Sequence, residues 1–187
     1  MNTSELLLDL FERVGEQVPD LVLLSPDDLA WRPGPEANSI GWLVWHLARV
    51  QDDHLAGVAA VLDVQGEGPA GEGFEGGRQV WDQGWRERLG LPYESNAIGY
   101  GHSTQDVAAF QLEDPSLLAG YYAEVHEATR RLLPRISEQQ LDNVVDENWD
   151  PPVTASVRLV SVLGDCLQHL GQASYVVGLA ERAGLPR

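Results

Sequence analysis

The chain has 187 residues, 43% of them hydrophobic, and a formal net charge of −17. This length and composition allow one domain with a sizeable apolar core and argue against a disordered chain. Because the charge is strongly acidic and no basic cluster is longer than Arg130-Arg131, we expect neither nucleic-acid binding nor attraction to anionic membranes.

The first half of the sequence predicts two long helices followed by an irregular segment. The first helix begins at a capping box formed by Asn2 and Glu5, and Pro19 is expected to kink or end it before its helical course resumes. The second helix is predicted from about Ser39 to about Leu62 by its apolar stripe. Residues 64–100 are rich in glycine and predict a long, irregular connection.

The second half predicts two further long helices. One begins at Asp114-Pro115, and the last runs from about Thr154 to Ala183 and ends before Gly184. No run alternates apolar and polar residues between turns, as strands of a half-buried sheet do. We therefore predict an all-α fold, a four-helix bundle with long, loop-rich connections, in a single domain over residues 1–187.

Three side chains of the second and last helices have the chemistry of metal ligands. Asp165 and His169 are four residues apart, so their side chains point the same way on a helix. His46 faces inward from the second helix, and with it three ligands would leave a fourth position open, as in catalytic zinc sites. Cys166 competes with Asp165, because only one of them can share a face with His169. His54 lies about 12 Å along its helix from His46, so one ion cannot bind both.

Other polar residues are candidates for supporting roles. Gln172 lies on the same face as the predicted ligands, where it would hydrogen-bond a ligand or a bound water, or form an interhelical hydrogen bond. Asp53 would accept a hydrogen bond from a metal-ligating side chain, act as a base near the cavity, or form a salt bridge to Arg49. Asp53, His54 and His126 are the candidates for proton transfer.

Missing motifs exclude several other functions. The glycine-rich segment lacks the Lys-Ser/Thr of a phosphate-binding loop, and no Gly-x-Ser-x-Gly nucleophile motif occurs. The single cysteine, Cys166, excludes an intramolecular disulfide and favours a reducing compartment. The sequence shows neither a signal peptide nor a transmembrane run, so we expect a soluble, cytoplasmic protein.

Three segments together resemble the DinB superfamily, in the branch that includes mycothiol-dependent maleylpyruvate isomerases and related thiol transferases. They are Trp45-His46-Leu with Asp52-Asp53-His54, then Trp149-Asp-Pro-Pro-Val, and finally Asp165-Cys-Leu-Gln-His169-Leu-Gly-Gln172-Ala. The resemblance covers almost the whole chain. It implies a four-helix bundle, frequently a homodimer, with a divalent metal held by three residues.

Carried over to this sequence, the resemblance assigns the metal to His46, Asp165 and His169. Relatives have His or Glu where this chain has Asp165, which is one methylene shorter than Glu. Asp165 would then bind the metal directly, reach it through water, or orient a ligating histidine. Zinc is the metal that three such ligands favour most, and nickel and iron are the alternatives.

The resemblance also implies a function. The metal would activate a low-molecular-weight thiol such as mycothiol, or water, against a small electrophilic substrate, as a thiol transferase, an isomerase or a hydrolase does. The alternative is a non-catalytic bundle that binds a metal or another ligand in a stress response. The expected partners are a small-molecule substrate and a second copy of the chain, with no nucleic acid and no membrane.

Overall fold

Four long helices form the bundle, and three short ones lie in its connections. The computed structural model describes residues 2–67, 73–75 and 77–184. In chain order, the α-helices in these ranges are α1 (Thr3–Val22), α2 (Pro26–Ala30), α3 (Ile40–Val61), α4 (Arg86–Leu89), α5 (Thr104–Ala108), α6 (Pro115–Leu132) and α7 (Ala155–Arg182). A π-helical turn lies at Trp81–Trp85, and 3-10 turns lie at Leu133–Arg135 and Glu138–Asp142. The predicted bundle of four long helices is confirmed.

The connections contain two small antiparallel hairpins, which the sequence did not predict. They pair β1 (Gln65–Glu67) with β2 (Gly73–Glu75), and β3 (Val144–Asp146) with β4 (Val153–Thr154). Strands of two or three residues are too short to show an alternating pattern. Within the predicted irregular segment 64–100, residues 68–72 and 76 lie outside the described ranges.

Helix α1 begins as its sequence predicts but continues past its proline. Asn2 Oδ1 accepts a hydrogen bond from Glu5 N at 2.8 Å, and Glu5 Oε2 accepts one from Asn2 N at 3.0 Å. The expected break at Pro19 does not occur, since α1 continues to Val22. Pro19 has no N–H to donate to the carbonyl of Gly15, but Leu21 and Val22 after it pack into the core and outweigh this one lost hydrogen bond.

Helix α3 is the centre of the bundle. Every residue from Ile40 to Asp52 is buried, and the helix packs against α7 most extensively, then against α6, α2 and α1. A helix buried on all sides needs internal partners for its polar side chains, because an unpaired buried polar group is costly. Gln51, for example, donates to Thr129 Oγ1 of α6 at 2.7 Å. The remaining buried polar residues of α3 form the site described below.

Helix α7 is long but carries charge within it. Thr154 caps its first turn, so the predicted bounds differ from the observed ones by about one residue. Arg158 and Asp165 lie within its length. Across the described residues, none of the helices combines the length and apolar character that a membrane span requires.

Candidate metal centre

His46 of α3 meets Asp165 and His169 of α7. The two imidazole rings lie 4.6 Å apart between centroids in an edge-to-face arrangement. One ligand atom from each of the three side chains lies within 4.8 Å of the other two. The structure therefore brings together the three residues that the sequence assigned to a metal, and in the described part of the chain they are the one group of this kind.

The hydrogen bond of His46 leaves one ring nitrogen free. Its Nδ1 lies against the carbonyl oxygen of Ile98, which can only accept, so Nδ1 carries the proton. The lone pair is then on Nε2, the atom available to a metal. Burial lowers the pKa of His46 although the Ile98 carbonyl opposes this effect, so the ring is held in the neutral form that a ligand needs.

His169 is oriented in the same way by a different group. Its Nδ1 lies 2.8 Å from Gln172 Oε1, and its Nε2 lies 3.5 Å from Asp165 Oδ1. Burial lowers the pKa of His169, but the hydrogen bonds to Asp165 and Gln172 outweigh it, so the net shift is upward. Gln172 thus contacts a predicted ligand from within α7 and does not bond across helices. Its role in binding a cofactor stays a prediction.

Asp165 contributes an oxygen with no hydrogen-bond partner. Its Oδ2 is buried and has no hydrogen-bond partner. Burial raises the pKa of Asp165, but the hydrogen bond and charge of His169 outweigh burial, so the pKa lies below its usual range. A buried oxygen of this kind normally has a partner. Two ligands of one tetrahedral zinc are about 3.4 Å apart, close to the 3.5 Å between Asp165 Oδ1 and His169 Nε2. The residues present fit a divalent metal.

The competing ligand Cys166 points elsewhere. Its thiol is buried and lies 3.8 Å from both the Leu47 carbonyl and Gln51 Oε1. Burial raises the pKa of the thiol well above its ordinary value, so no thiolate forms at neutral pH. Cys166 packs against α3 as a small apolar residue.

The residue after Ile98 has to be a glycine. Gly99 has a φ of 96°, and a Cβ there would lie 2.5 Å from His46 Nδ1. Only a residue without a side chain permits both the backbone conformation and this approach to the imidazole. The sequence is rich in glycine in this segment, but nothing in the sequence connects these glycines with His46.

Arg49 fixes the same loop from one turn further along α3. The side chain is fully buried, and its Nε donates to the Ala97 carbonyl at 3.2 Å. Its Nη1 reaches Asp52 Oδ2 at 3.3 Å and Tyr121 Oη at 3.2 Å, and the guanidinium lies 4.8 Å from the centre of the Trp81 ring. The salt bridge predicted between Arg49 and Asp53 is not the observed one, since Arg49 pairs with Asp52.

Asp52 holds the start of the same connection. Its carboxylate accepts hydrogen bonds from the backbone N–H groups of Val80 and Trp81, both at 2.8 Å, and from Tyr121 Oη at 2.9 Å. Burial raises the pKa of Asp52, while these donors and Arg49 lower it in part. Asp52 and Arg49 thus attach the irregular connection to α3 at both ends of residues 80–97.

An aromatic cluster closes the other side of His46. Trp42 stacks on the His46 ring at 4.9 Å between centroids, and its Nε1 donates to His102 Nδ1 at 3.2 Å. His102 also stacks on Trp45 at 5.7 Å. His102 is half-buried among these rings.

The three residues predicted to transfer protons pair with different partners. His54 Nδ1 lies 3.2 Å from Asp53 Oδ2, and the charge of His54 contributes to the lowered pKa of Asp165. Asp53 Oδ1 also accepts from Gln79 Nε2 at 2.9 Å. His126 pairs with Glu12 of α1 at 3.1 Å. The catalytic roles of Asp53, His54 and His126 stay predictions.

Comparison with known proteins agrees with this architecture. The sequence profile of the DinB superfamily matches residues 10–173. A crystal structure of a conserved protein from Enterococcus faecalis is similar, with a TM-score of 0.77 and 29% identity over 94% of this chain and 95% of that chain. A search of curated proteins finds no match. The chain, with its helix bundle and its His-Asp-His group, belongs to the DinB superfamily.

Proposed function

We propose that this protein is a metal-dependent enzyme of the thiol-transferase type, acting on a small electrophilic substrate. The observation that carries the proposal is the position and hydrogen bonding of the three predicted ligand side chains. Both imidazoles use Nδ1 for a hydrogen bond to the protein, His169 Nε2 lies 3.5 Å from Asp165 Oδ1, and one ligand atom of His46 lies within 4.8 Å of ligand atoms of both. Two imidazole nitrogens and one carboxylate oxygen suit zinc best, with nickel and iron as alternatives.

Three protein ligands leave a coordination position for a small molecule. A divalent metal bound there lowers the pKa of a thiol or water in that position, so that a nucleophile exists at neutral pH. His46 and His169 are held by Ile98 and Gln172, which fixes the direction of their lone pairs. The carboxylate of Asp165 supplies one negative charge, which offsets part of the charge of the divalent ion.

The chain also provides a route for the proton released from the nucleophile. His54 lies close enough to Asp165 to influence its pKa, and Asp53 holds the His54 ring at 3.2 Å. In the proposed reaction His54 accepts the proton of the thiol or water. The sulfur or oxygen then forms a bond to an electrophilic carbon of the substrate, and the leaving group departs with its electron pair.

Metal content is the first test of this proposal. Protein purified without a histidine tag is analysed for metals, and we expect about one divalent ion per chain. His46→Ala should abolish binding, whereas His126→Ala, which removes a histidine paired with Glu12, should retain it. A wild-type content below roughly a tenth of an ion per chain after incubation with zinc would refute the proposal.

Turnover is the second test. Panels of low-molecular-weight thiols with small electrophiles are assayed with metal-loaded protein, with chelator-treated protein and with His46→Ala. We expect product only with the metal-loaded protein. Binding of one ion without turnover across thiol and water panels would instead support the non-catalytic, metal-binding alternative.

A further inference from the structure

A short turn after Ile98 contacts two side chains of α3. His102 N donates to the Gly99 carbonyl at 3.2 Å and closes the turn. The Ile98 carbonyl, which precedes the turn, contacts His46 Nδ1. At the other end of the turn, His102 Nδ1 accepts a hydrogen bond from Trp42 Nε1 at 3.2 Å. Trp42 and His46 are four residues apart on α3, so one turn fixes two neighbouring side chains on the same face of the helix.

Trp42 packs flat against the predicted metal ligand His46. The two ring planes are 17° apart, with 4.9 Å between their centroids, and the indole is buried. The turn also lies against this indole, since a Cβ on Gly99 would be 3.1 Å from Trp42 Cζ2. The indole therefore occupies the space beside the imidazole, and its position restricts how the His46 ring can rotate.

Only the neutral form of His102 can hold Trp42 in this way. An indole N–H donates and cannot accept, so His102 Nδ1 carries a lone pair and the proton of the ring is on Nε2. A protonated imidazole donates from both nitrogens, so its Nδ1–H would face the indole N–H of Trp42. Protonation of this one ring therefore removes the hydrogen bond between the turn and the indole.

The surroundings of His102 keep its ring neutral at pH 7. Burial lowers the pKa of His102, and the negative charge of Asp106 on α5 opposes this effect in part. Tyr93, at 4.7 Å between ring centroids, has a pKa raised by burial and stays uncharged. On α3, both indoles that pack on the ring are uncharged, and a charge on His102 lowers the pKa of His46. His102 therefore becomes protonated below the ordinary histidine pKa of about 6.5.

We infer that His102 is a positioning residue for the metal ligand His46, and that it acts through Trp42 only while its own ring is neutral. The inference rests on the metal site of the proposed function. At neutral pH the turn holds the indole and the Ile98 carbonyl against α3. In acid, repulsion between two donors displaces the indole, and the His46 ring loses the neighbour that restricts it. Acid then weakens metal binding through a residue outside the ligand set.

Two replacements of His102 separate its hydrogen bond from its packing. His102→Asn supplies an amide oxygen that accepts from Trp42 at every pH, whereas His102→Phe keeps a ring against Trp45 and accepts nothing. At about pH 7.5, zinc affinity should be near the wild-type value in His102→Asn and lower by about tenfold or more in His102→Phe. Circular dichroism shows whether each variant is folded.

The pH dependence of zinc affinity distinguishes positioning from a purely structural role. Towards about pH 5.5, the affinity of the wild type should fall more steeply than that of His102→Asn, since only the wild type loses the bond to Trp42. Protonation of the three ligands weakens both proteins alike and cancels in the comparison. Parallel pH profiles for wild type and His102→Asn would overturn the inference.

Trp42→Phe provides the matched background for these variants. Phenylalanine retains a ring beside His46 but has no N–H to donate. His102→Asn and His102→Phe should therefore bind zinc equally when combined with Trp42→Phe. Equal affinities of the two His102 variants without Trp42→Phe, or a difference that persists in its presence, would also overturn the inference.

NMR of the metal-free protein tests the coupling without any metal. The indole N–H signal of Trp42 and the ring signals of His46, assigned with Trp42→Phe and His46→Ala, should shift together as His102 becomes protonated. In His102→Asn this shared transition should be absent. A wild-type indole signal that does not respond to pH would overturn the inference. The shared transition in a protein that binds no zinc would support the coupling of His102 to His46 and refute the proposed function alone.

Discussion

His46 and Arg49, one turn apart on α3, bind the carbonyl oxygens of consecutive residues in the distant connection. Arg49 Nε donates to Ala97 O at 3.2 Å, and His46 Nδ1 contacts Ile98 O. The arginine therefore positions the acceptor on which the histidine depends. Its cationic side chain is fully buried and is balanced by the Asp52 carboxylate.

Replacing Arg49 by methionine should destabilise the fold strongly. The change leaves Asp52 buried without its cation and frees the Ala97 carbonyl, so we expect a loss of about 3–5 kcal/mol in the free energy of unfolding. Urea unfolding monitored by circular dichroism measures it. Arg130→Met is the control, because Arg130 is 53% exposed and surface ion pairs contribute at most about 1 kcal/mol. Equal losses in the two variants would contradict the positioning role.

Gly99→Ala should weaken metal binding through a collision with His46. Its control is Gly101→Ala, because Gly101 also has a positive φ, of 78°, but a Cβ there meets nothing within 4 Å. Both changes should cost about 1–2 kcal/mol of backbone strain. Only Gly99→Ala should reduce zinc affinity, by about tenfold or more, in competition titrations with a chromogenic chelator. Equal zinc affinities for the two variants would show that the approach to His46 is unimportant.

Gln172→Ala should reduce metal affinity without a matching loss of stability. The amide oxygen fixes the Nδ1–H of His169, and removal of such a partner typically costs about 10–100-fold in metal affinity. Gln168→Ala is the matched control, since Gln168 lies one turn earlier on α7 and bonds only the Gly164 carbonyl, at 3.2 Å. A zinc affinity equal to that of Gln168→Ala would remove Gln172 from the site.

In the metal-free protein, the two imidazoles should titrate on opposite sides of the ordinary histidine pKa of about 6.5. Burial lowers the pKa of His46, whereas Asp165 and Gln172 outweigh burial and raise that of His169. NMR titration of the ring protons measures both values, and His46→Ala and His169→Ala assign the signals. Coincident titration near 6.5 would contradict the observed environments.

The same shifts give the sign of each contribution to stability. A raised folded-state pKa means that His169 stabilises the metal-free fold fully below about pH 6.5 and loses this contribution as the pH rises through its folded value. The lowered pKa of Asp165 acts in the other direction, since its contribution is present above about pH 4 and is lost as the pH falls through the folded value. Zinc binding should therefore weaken as acid protonates His169.

Local sequence patterns were sufficient to predict the long helices and the pairing of Asp165 with His169 on one face of the last helix. The capping box of Asn2 and Glu5, the apolar stripes and the terminal glycine each depend on residues a few positions apart, and helices form from such neighbours. The spacing of Asp165 and His169 likewise determined that they share a face of α7. The helix does not end at Pro19, one of the two predicted outcomes, because burial of the residues after it outweighs one missing hydrogen bond.

Only the tertiary structure decided which groups complete the site. His46 reaches His169 because α3 packs against α7, and its proton is fixed by Ile98, 52 residues away in a connection without periodicity. The pairing of Arg49 with Asp52 instead of Asp53 depends on which side of α3 faces Tyr121 and the start of that connection. Such contacts join residues that no local spacing relates, so the sequence specified the ligand types and the folded packing specified their orientation and partners.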